Sequence, residues 1–145
     1  KSAVVQKEKA AYYASVKPKV TKTTSGLEYF ITEKGTGKKP AAGTQVFIAY
    51  AGFLEDGTLF DTSIEDVAKQ FGKFDAARAY QPIAFKAGSK DGMIPGFIEG
   101  LEQLSFGDKA ILFIPSHLAY GETGAGGVIP PNANIIFEVQ LLEKQ

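Results

Sequence analysis

Apolar and polar residues alternate in short runs along most of this chain, and turn-forming residues separate the runs. Leu27, Tyr29 and Ile31 alternate with polar neighbours before the turn GTGKKPAAG. Thr44–Leu54 (TQVFIAYAGFL) is apolar on both faces, which predicts a central strand covered on both sides. Asp56-Gly57 is a hairpin signal that returns the chain through Thr58, Leu59 and Phe60. Pro82–Lys86, Lys109–Ile114 and Asn134–Leu142 read as further strands. Turns, not helices, divide these runs, so the expected sheet is antiparallel.

One segment breaks the period of two. Phe97, Ile98, Leu101 and Leu104 recur at helical spacing, with Pro95 suited to the first helical position and Gly107 to the end. That apolar stripe needs a partner, and the sheet supplies one. A second short helix is expected from Ser63, with Asp66 as a capping partner and Val67, Ala68 and Phe71 on its buried side. Residues 3–16 (AVVQKEKAAYYASV) favour helix by composition, although their apolar spacing is ragged. Pro18 stops that helix, and TKTTSG at 21–26 reads as a polar linker.

Composition narrows the function classes. A chain of 145 residues holds one domain with room for an extra segment. Cysteine is absent, which excludes disulfides, thiolate metal sites and cysteine nucleophiles. No apolar run is long enough to cross a membrane. The formal net charge of zero hides a split: residues 1–24 carry six lysines against Glu8 alone, and the remainder is correspondingly acidic. A solvated basic leader on an acidic body is the expectation, and such a body argues against nucleic acid. The chain starts at Lys1, so we expect a fragment or processed form, with any membrane attachment through a segment upstream of it.

Several familiar constellations fail. Four glycines between Gly121 and Gly127 suggest a phosphate cradle, but Pro130-Pro131 follow where a helix N-terminus is needed. His117 is the single histidine, and its neighbour Ser116 does not face it as a nucleophile must. Glu55-Asp56 and Glu65-Asp66 sit at a turn and a helix start, where acids serve local geometry. What remains is aromatic and aliphatic: Tyr50, Phe60, Met93, Ile94, Phe97, Tyr120 and Phe137, with one carboxylate, Asp61. A carboxylate following Phe in an apolar stretch needs either solvent or a hydrogen-bonding partner.

The segments VFIAYAGFLEDGTLFDTS (46–63), MIPGFIEGLEQLSFGDKAILFIPSHLAYG (93–121) and VIPPNANIIFEVQLLE (128–143) carry a resemblance. Over Ser25–Lys144 the chain resembles the FK506-binding-protein (FKBP) type of peptidyl-prolyl cis–trans isomerase, in its bacterial form. The resemblance implies an α+β fold: a half-barrel of five to six antiparallel strands wrapped around the Pro95–Leu104 helix, with the pocket between them. It divides the chain into a basic extension or linker (1–24) and an isomerase domain (25–145) with a helical insertion (62–80). Carried over position by position, the catalytic group falls on Asp61, Tyr120, Phe60 and the backbone N–H of Ile94. The substrate walls fall on Tyr50, Ile83, Met93, Phe97, Val128, Ile129 and Phe137. The chain departs from better-known members at Phe97, often Trp, at Ile83, often Phe, and at Ala125, sometimes His.

The implied reaction is rotation about X-Pro bonds in unfolded or partly folded proteins, with no cofactor and no metal. Implied partners are proline-containing polypeptides and FK506- or rapamycin-like macrolides, not nucleic acid. A non-catalytic module holding a proline peptide in the same pocket is one alternative. A chaperone using the aromatic residues of the insertion (Phe71, Phe74, Tyr80) is another. The bacterial cell envelope or periplasm is the expected compartment, ahead of the cytoplasm.

Overall fold

The computed structural model describes all of residues 1–145. Its sheet has seven strands: β1 (Thr21–Lys22), β2 (Glu28–Glu33), β3 (Gln45–Leu54), β4 (Leu59–Thr62), β5 (Ile83–Lys86), β6 (Lys109–Ile114) and β7 (Ile135–Leu142). Three α-helices accompany them: α1 (Ser2–Val16), α2 (Glu65–Gln70) and α3 (Pro95–Leu101). The order across the sheet is β1-β2-β6-β7-β3-β4, with β5 also on β3, and every pairing is antiparallel. The α+β half-barrel is as expected, with one strand more. Thr21–Lys22, read as linker, pairs with Glu28–Tyr29 at the edge.

Both faces of the sheet's centre are covered, which explains why β3 after Gln45 and β6 after Lys109 are apolar. The inner face carries Val46, Ile48 and Tyr50 from β3, Leu112 and Ile114 from β6, and Phe137 and Leu141 from β7. These close over Phe97 and Leu101 of α3. Pro95 occupies the first turn of α3 as its fixed φ and missing N–H allow. The helix ends at Leu101, short of the expected Leu104, which is buried on a following turn.

The outer face is covered by α1. Tyr13 and Val16 are buried there against Phe53, Phe113, Ile111 and Ile136. Tyr13 donates to Glu138 at 2.6 Å, and Lys9 pairs with the same carboxylate at 2.8 Å. Burial, reinforced by Glu138, pushes the Tyr13 phenol well above its ordinary range. Residues 1–24 are therefore not the solvated leader expected; their helix closes a second core that the sheet would otherwise expose.

β4 and β5 lie on the same edge of β3, so the insertion leaves the sheet after Thr62 and returns at Ile83. The short helix within it is present, but its cap is not the one expected. Ser63 accepts instead from the Tyr50 N–H at 2.9 Å, and Thr62 Oγ1 accepts from the Ile64 N–H. Ala68 and Phe71 are buried as expected, with Val67 partly so.

Candidate active site

Consecutive strand residues point to opposite faces, so Phe60 and Asp61 cannot both face one pocket on a regular strand. A β-bulge removes the conflict. Gly52 pairs with Asp61 and Phe53 with Leu59, leaving Phe60 as the extra residue. Both side chains then face the inner surface, beside Tyr50 of β3 and Phe137 of β7.

Gly52 makes the room. A Cβ there would come within 2.6 Å of the Phe60 ring and 2.7 Å of the Phe137 ring. The floor is a set of edge-on aromatic pairs: Phe97–Phe137 at 4.9 Å, Phe60–Phe137 at 5.5 Å and Tyr50–Phe97 at 6.4 Å between ring centroids. Such T-shaped pairs are favourable and geometrically specific, so the rings hold one another in place. Ile83, Met93, Ile94, Ile129 and Tyr120 complete an open cleft of about 260 Å³.

Val128 is the exception among the expected walls: it lies 51% exposed and outside the cleft. The tip of the glycine loop is a tight hairpin, with Ala125 and Ile129 exchanging both backbone hydrogen bonds at 2.9 and 3.0 Å. That hairpin turns Ile129 inward and Val128 outward. Gly124 is required in it, since φ is +68° and a Cβ would meet the Ile129 carbonyl at 2.3 Å.

Polar groups in the cleft are few and defined. Asp61 accepts from the Tyr50 hydroxyl at 2.8 Å and from the Arg78 guanidinium at 2.7 Å, and Arg78 also reaches the Tyr50 oxygen at 3.3 Å. Burial, and then the bond to Asp61, pushes the Tyr50 phenol up to about 12, so it is a neutral donor at physiological pH. Burial and the Asp61 charge also raise Tyr120, whose hydroxyl makes no bond within the chain. The Ile94 N–H is likewise unbonded, while its carbonyl accepts from Phe97 and Ile98 at the start of α3. The cleft thus offers two free donors, one hydroxyl and one amide, above an apolar floor. No three side chains of metal-ligating type converge in the chain.

Three contributors escape the sequence reading. Arg78, at the end of the insertion, is the only arginine in the chain. Its singularity was the available signal, because a planar fork is chosen where two acceptors must be held together. Thr62 and Ser63 are buried polar residues that bond the Tyr50 backbone, at 2.8 Å to its carbonyl and 2.9 Å from its N–H. They complete the ladder where β3 lacks a strand partner between β4 and β5, fixing Tyr50 against Asp61. His117 lies away from the cleft, against the Ser25 carbonyl at 2.8 Å.

Residues 36–142 match the family model described as FKBP-type peptidyl-prolyl cis–trans isomerase. The chain is 42% identical over 124 residues to the FKBP-type 22 kDa peptidyl-prolyl cis–trans isomerase of Escherichia coli, covering 86% of this chain and 52% of that protein. It is 35% identical over 126 residues to the outer membrane protein MIP of Legionella longbeachae, covering 87% and 47%. The crystal structure of FkpA from Escherichia coli superposes with a TM-score of 0.67 at 34% identity, covering 97% of this chain and 59% of that one. The chain spans about half the length of these curated relatives.

Proposed function

The chain belongs to the FKBP-type peptidyl-prolyl cis–trans isomerase family, and from that premise we propose that it catalyses rotation about X-Pro peptide bonds in unfolded or partly folded polypeptides. The observation that carries this reading is an aromatic cleft with two unbonded donors and no nucleophile–base pair. Rotation about a peptide bond costs about 18–20 kcal/mol because amide resonance is lost at the twisted state. No bond is made or broken, so the site needs only to bind the twisted amide better than either planar form.

Each part of the cleft has a role in that preference. The Phe97–Phe137 floor and the Phe60 and Ile129 walls hold the proline ring and exclude water from the amide. Resonance places charge on the amide oxygen, which water stabilises in the planar forms; an apolar wall withdraws that stabilisation. The Ile94 N–H holds a substrate carbonyl, and the Tyr120 hydroxyl holds another. Asp61, with its oxygens already taken by Tyr50 and Arg78, acts through its fixed negative field and not by proton transfer.

The same cleft is the site for FK506- or rapamycin-like macrolides, which would displace the proline substrate. Phe97 and Ile83 give it a smaller apolar surface than Trp and Phe at those positions. The outer-membrane name of the Legionella longbeachae relative supports a place in the bacterial cell envelope. No helix of this chain is itself long and apolar enough to cross a membrane. A protease-coupled assay on an X-Pro tetrapeptide tests the reading: Phe97→Ala is expected to lower kcat/KM by at least about tenfold. Unchanged kcat/KM in that variant contradicts it.

A further inference from the structure

The insertion between β4 and β5 ends in a stack of side chains that the isomerase reading leaves unused. The Phe74 and Tyr80 rings are nearly parallel, with an interplanar angle of 18° and centroids 5.8 Å apart. Lys69 Nζ lies 5.0 Å from the Phe74 ring and the Arg78 guanidinium 5.1 Å from the Tyr80 ring. Arg78 then reaches Asp61 and Tyr50 in the wall of the cleft. The ladder Lys69–Phe74–Tyr80–Arg78 thus ends on two residues that line the cleft, Asp61 and Tyr50.

The loop that displays it is built. Phe71 anchors the end of α2 in the outer core against Phe53, at 5.2 Å between centroids. Asp75 Oδ1 accepts from the Ala77 N–H at 2.9 Å, its carbonyl accepts from the Arg78 N–H at 3.1 Å, and its own N–H donates to the Tyr80 hydroxyl at 3.0 Å. Phe74 is held on this frame with 44% of its surface in solvent. The insertion's three aromatics therefore do not form one exposed patch: one is buried, and two form a plate contiguous with the cleft.

We propose that Phe74 and Tyr80 extend the substrate site, binding an apolar side chain of the same polypeptide within about four residues of the proline. The inference rests on the isomerase reading of the cleft. Three successive contacts, of 2.7, 5.1 and 5.8 Å, connect Asp61 to Phe74. An extended chain advances about 3.3 Å per residue, so a residue three or four from the bound proline reaches the plate. No residue of the insertion lines the cleft itself, so a chain bound there meets the plate only through residues flanking the proline. The cations of the ladder do not select an acidic residue, because Lys69 is paired with Glu65 at 2.8 Å and Arg78 with Asp61. What the plate has to offer is apolar surface.

Phe74→Ala separates this from its rivals in the full chain, with three substrates: an X-Pro tetrapeptide, a dodecapeptide with Leu three residues from the proline, and the same dodecapeptide with Gly there. The variant is expected to keep tetrapeptide and Gly-peptide activity. On the Leu peptide kcat/KM falls about fivefold, through KM, and Phe74→Trp restores it. Equal loss on all three substrates would mean that Phe74 only supports Arg78, and no loss on any would leave the plate without a substrate role; either overturns the proposal. Self-association abolished by Phe74→Ala in sedimentation would assign the plate to a second copy and also overturn it. Fluorescence anisotropy of the Leu peptide on wild-type and variant reads the same contact without catalysis. Isomerisation with no Phe74-dependent binding would overturn this proposal alone, whereas Phe74-dependent binding without isomerisation would overturn the isomerase reading and, with it, the plate's place in a catalytic site.

Discussion

Gly52 and Phe60 occupy one volume: a Cβ on the glycine would stand 2.6 Å from the ring that faces it across the bulge. The aromatic wall of the cleft is in place because a central strand gives up a side chain there. Gly52→Ala is expected to push Phe60 and Phe137 off their pairing geometry. It should lower kcat/KM on an X-Pro tetrapeptide by about tenfold and stability by about 1–3 kcal/mol. Steady-state assays with urea denaturation of the same preparation check both.

Arg78 and Asp61 form a half-exposed ion pair, with 38% and 41% of their side-chain surfaces in solvent. Such pairs add about 0–1 kcal/mol to stability, so Arg78→Leu should leave the urea midpoint almost unchanged. Asp61 loses the partner that fixes its second oxygen, and kcat/KM is expected to fall severalfold. Arg78→Lys should recover only part of it, since a lysine cannot hold Asp61 and Tyr50 through one fork.

Helix α1 covers apolar strands and touches no residue of the cleft. A chain beginning at Lys19 is expected to lose about 3 kcal/mol or more, from the burial of Tyr13 and Val16 alone. The midpoint of thermal unfolding falls by roughly 10 °C for a loss of that size. Tetrapeptide kcat/KM, measured well below the new midpoint, should stay within about twofold. Calorimetry and the isomerase assay together decide.

Alkaline pH reads the buried tyrosines. Tyr13 and Tyr50 hold their protons more tightly folded than unfolded, so the unfolded chain releases them first as pH rises. Their contribution to stability is complete below about pH 10 and declines above it, for Tyr50 over the interval from about 10 to about 12. Urea midpoints should therefore be level between about pH 8 and 9.5 and fall at about pH 11. Tyr13→Phe costs about 1 kcal/mol at neutral pH and flattens part of that alkaline decline.

Much of this molecule is legible in its chain because the relevant signals are local. The alternation of β2 and β7, the Asp56-Gly57 turn and the spacing of Phe97, Ile98 and Leu101 each specify their element without tertiary help. The contacts that escaped are long-range. Residues 1–24 read as a leader because Tyr13 and Val16 alone are buried on α1, too few for a helical stripe, while Phe53 and Phe113 supply the rest from across the sheet. Ser63 read as a helix cap because its partner, the Tyr50 N–H, lies on another strand. Val128 read as a wall because Val-Ile gives two equal candidates, and only the hairpin closed between Ala125 and Ile129 chooses between them. Arg78 lies 17 residues from Asp61, beyond any local pattern.

The central claim is that the aromatic cleft with Asp61 lowers the barrier to X-Pro rotation. NMR exchange spectroscopy on an X-Pro tetrapeptide measures that rotation directly, comparing the wild-type chain with the Phe60→Ala, Asp61→Ala double variant. Uncatalysed interconversion takes tens to hundreds of seconds. The wild-type chain, at catalytic concentration, is predicted to bring exchange into the range that the method resolves, with the double variant slower by at least about tenfold. Exchange with the wild-type chain no faster than with the double variant would contradict the account.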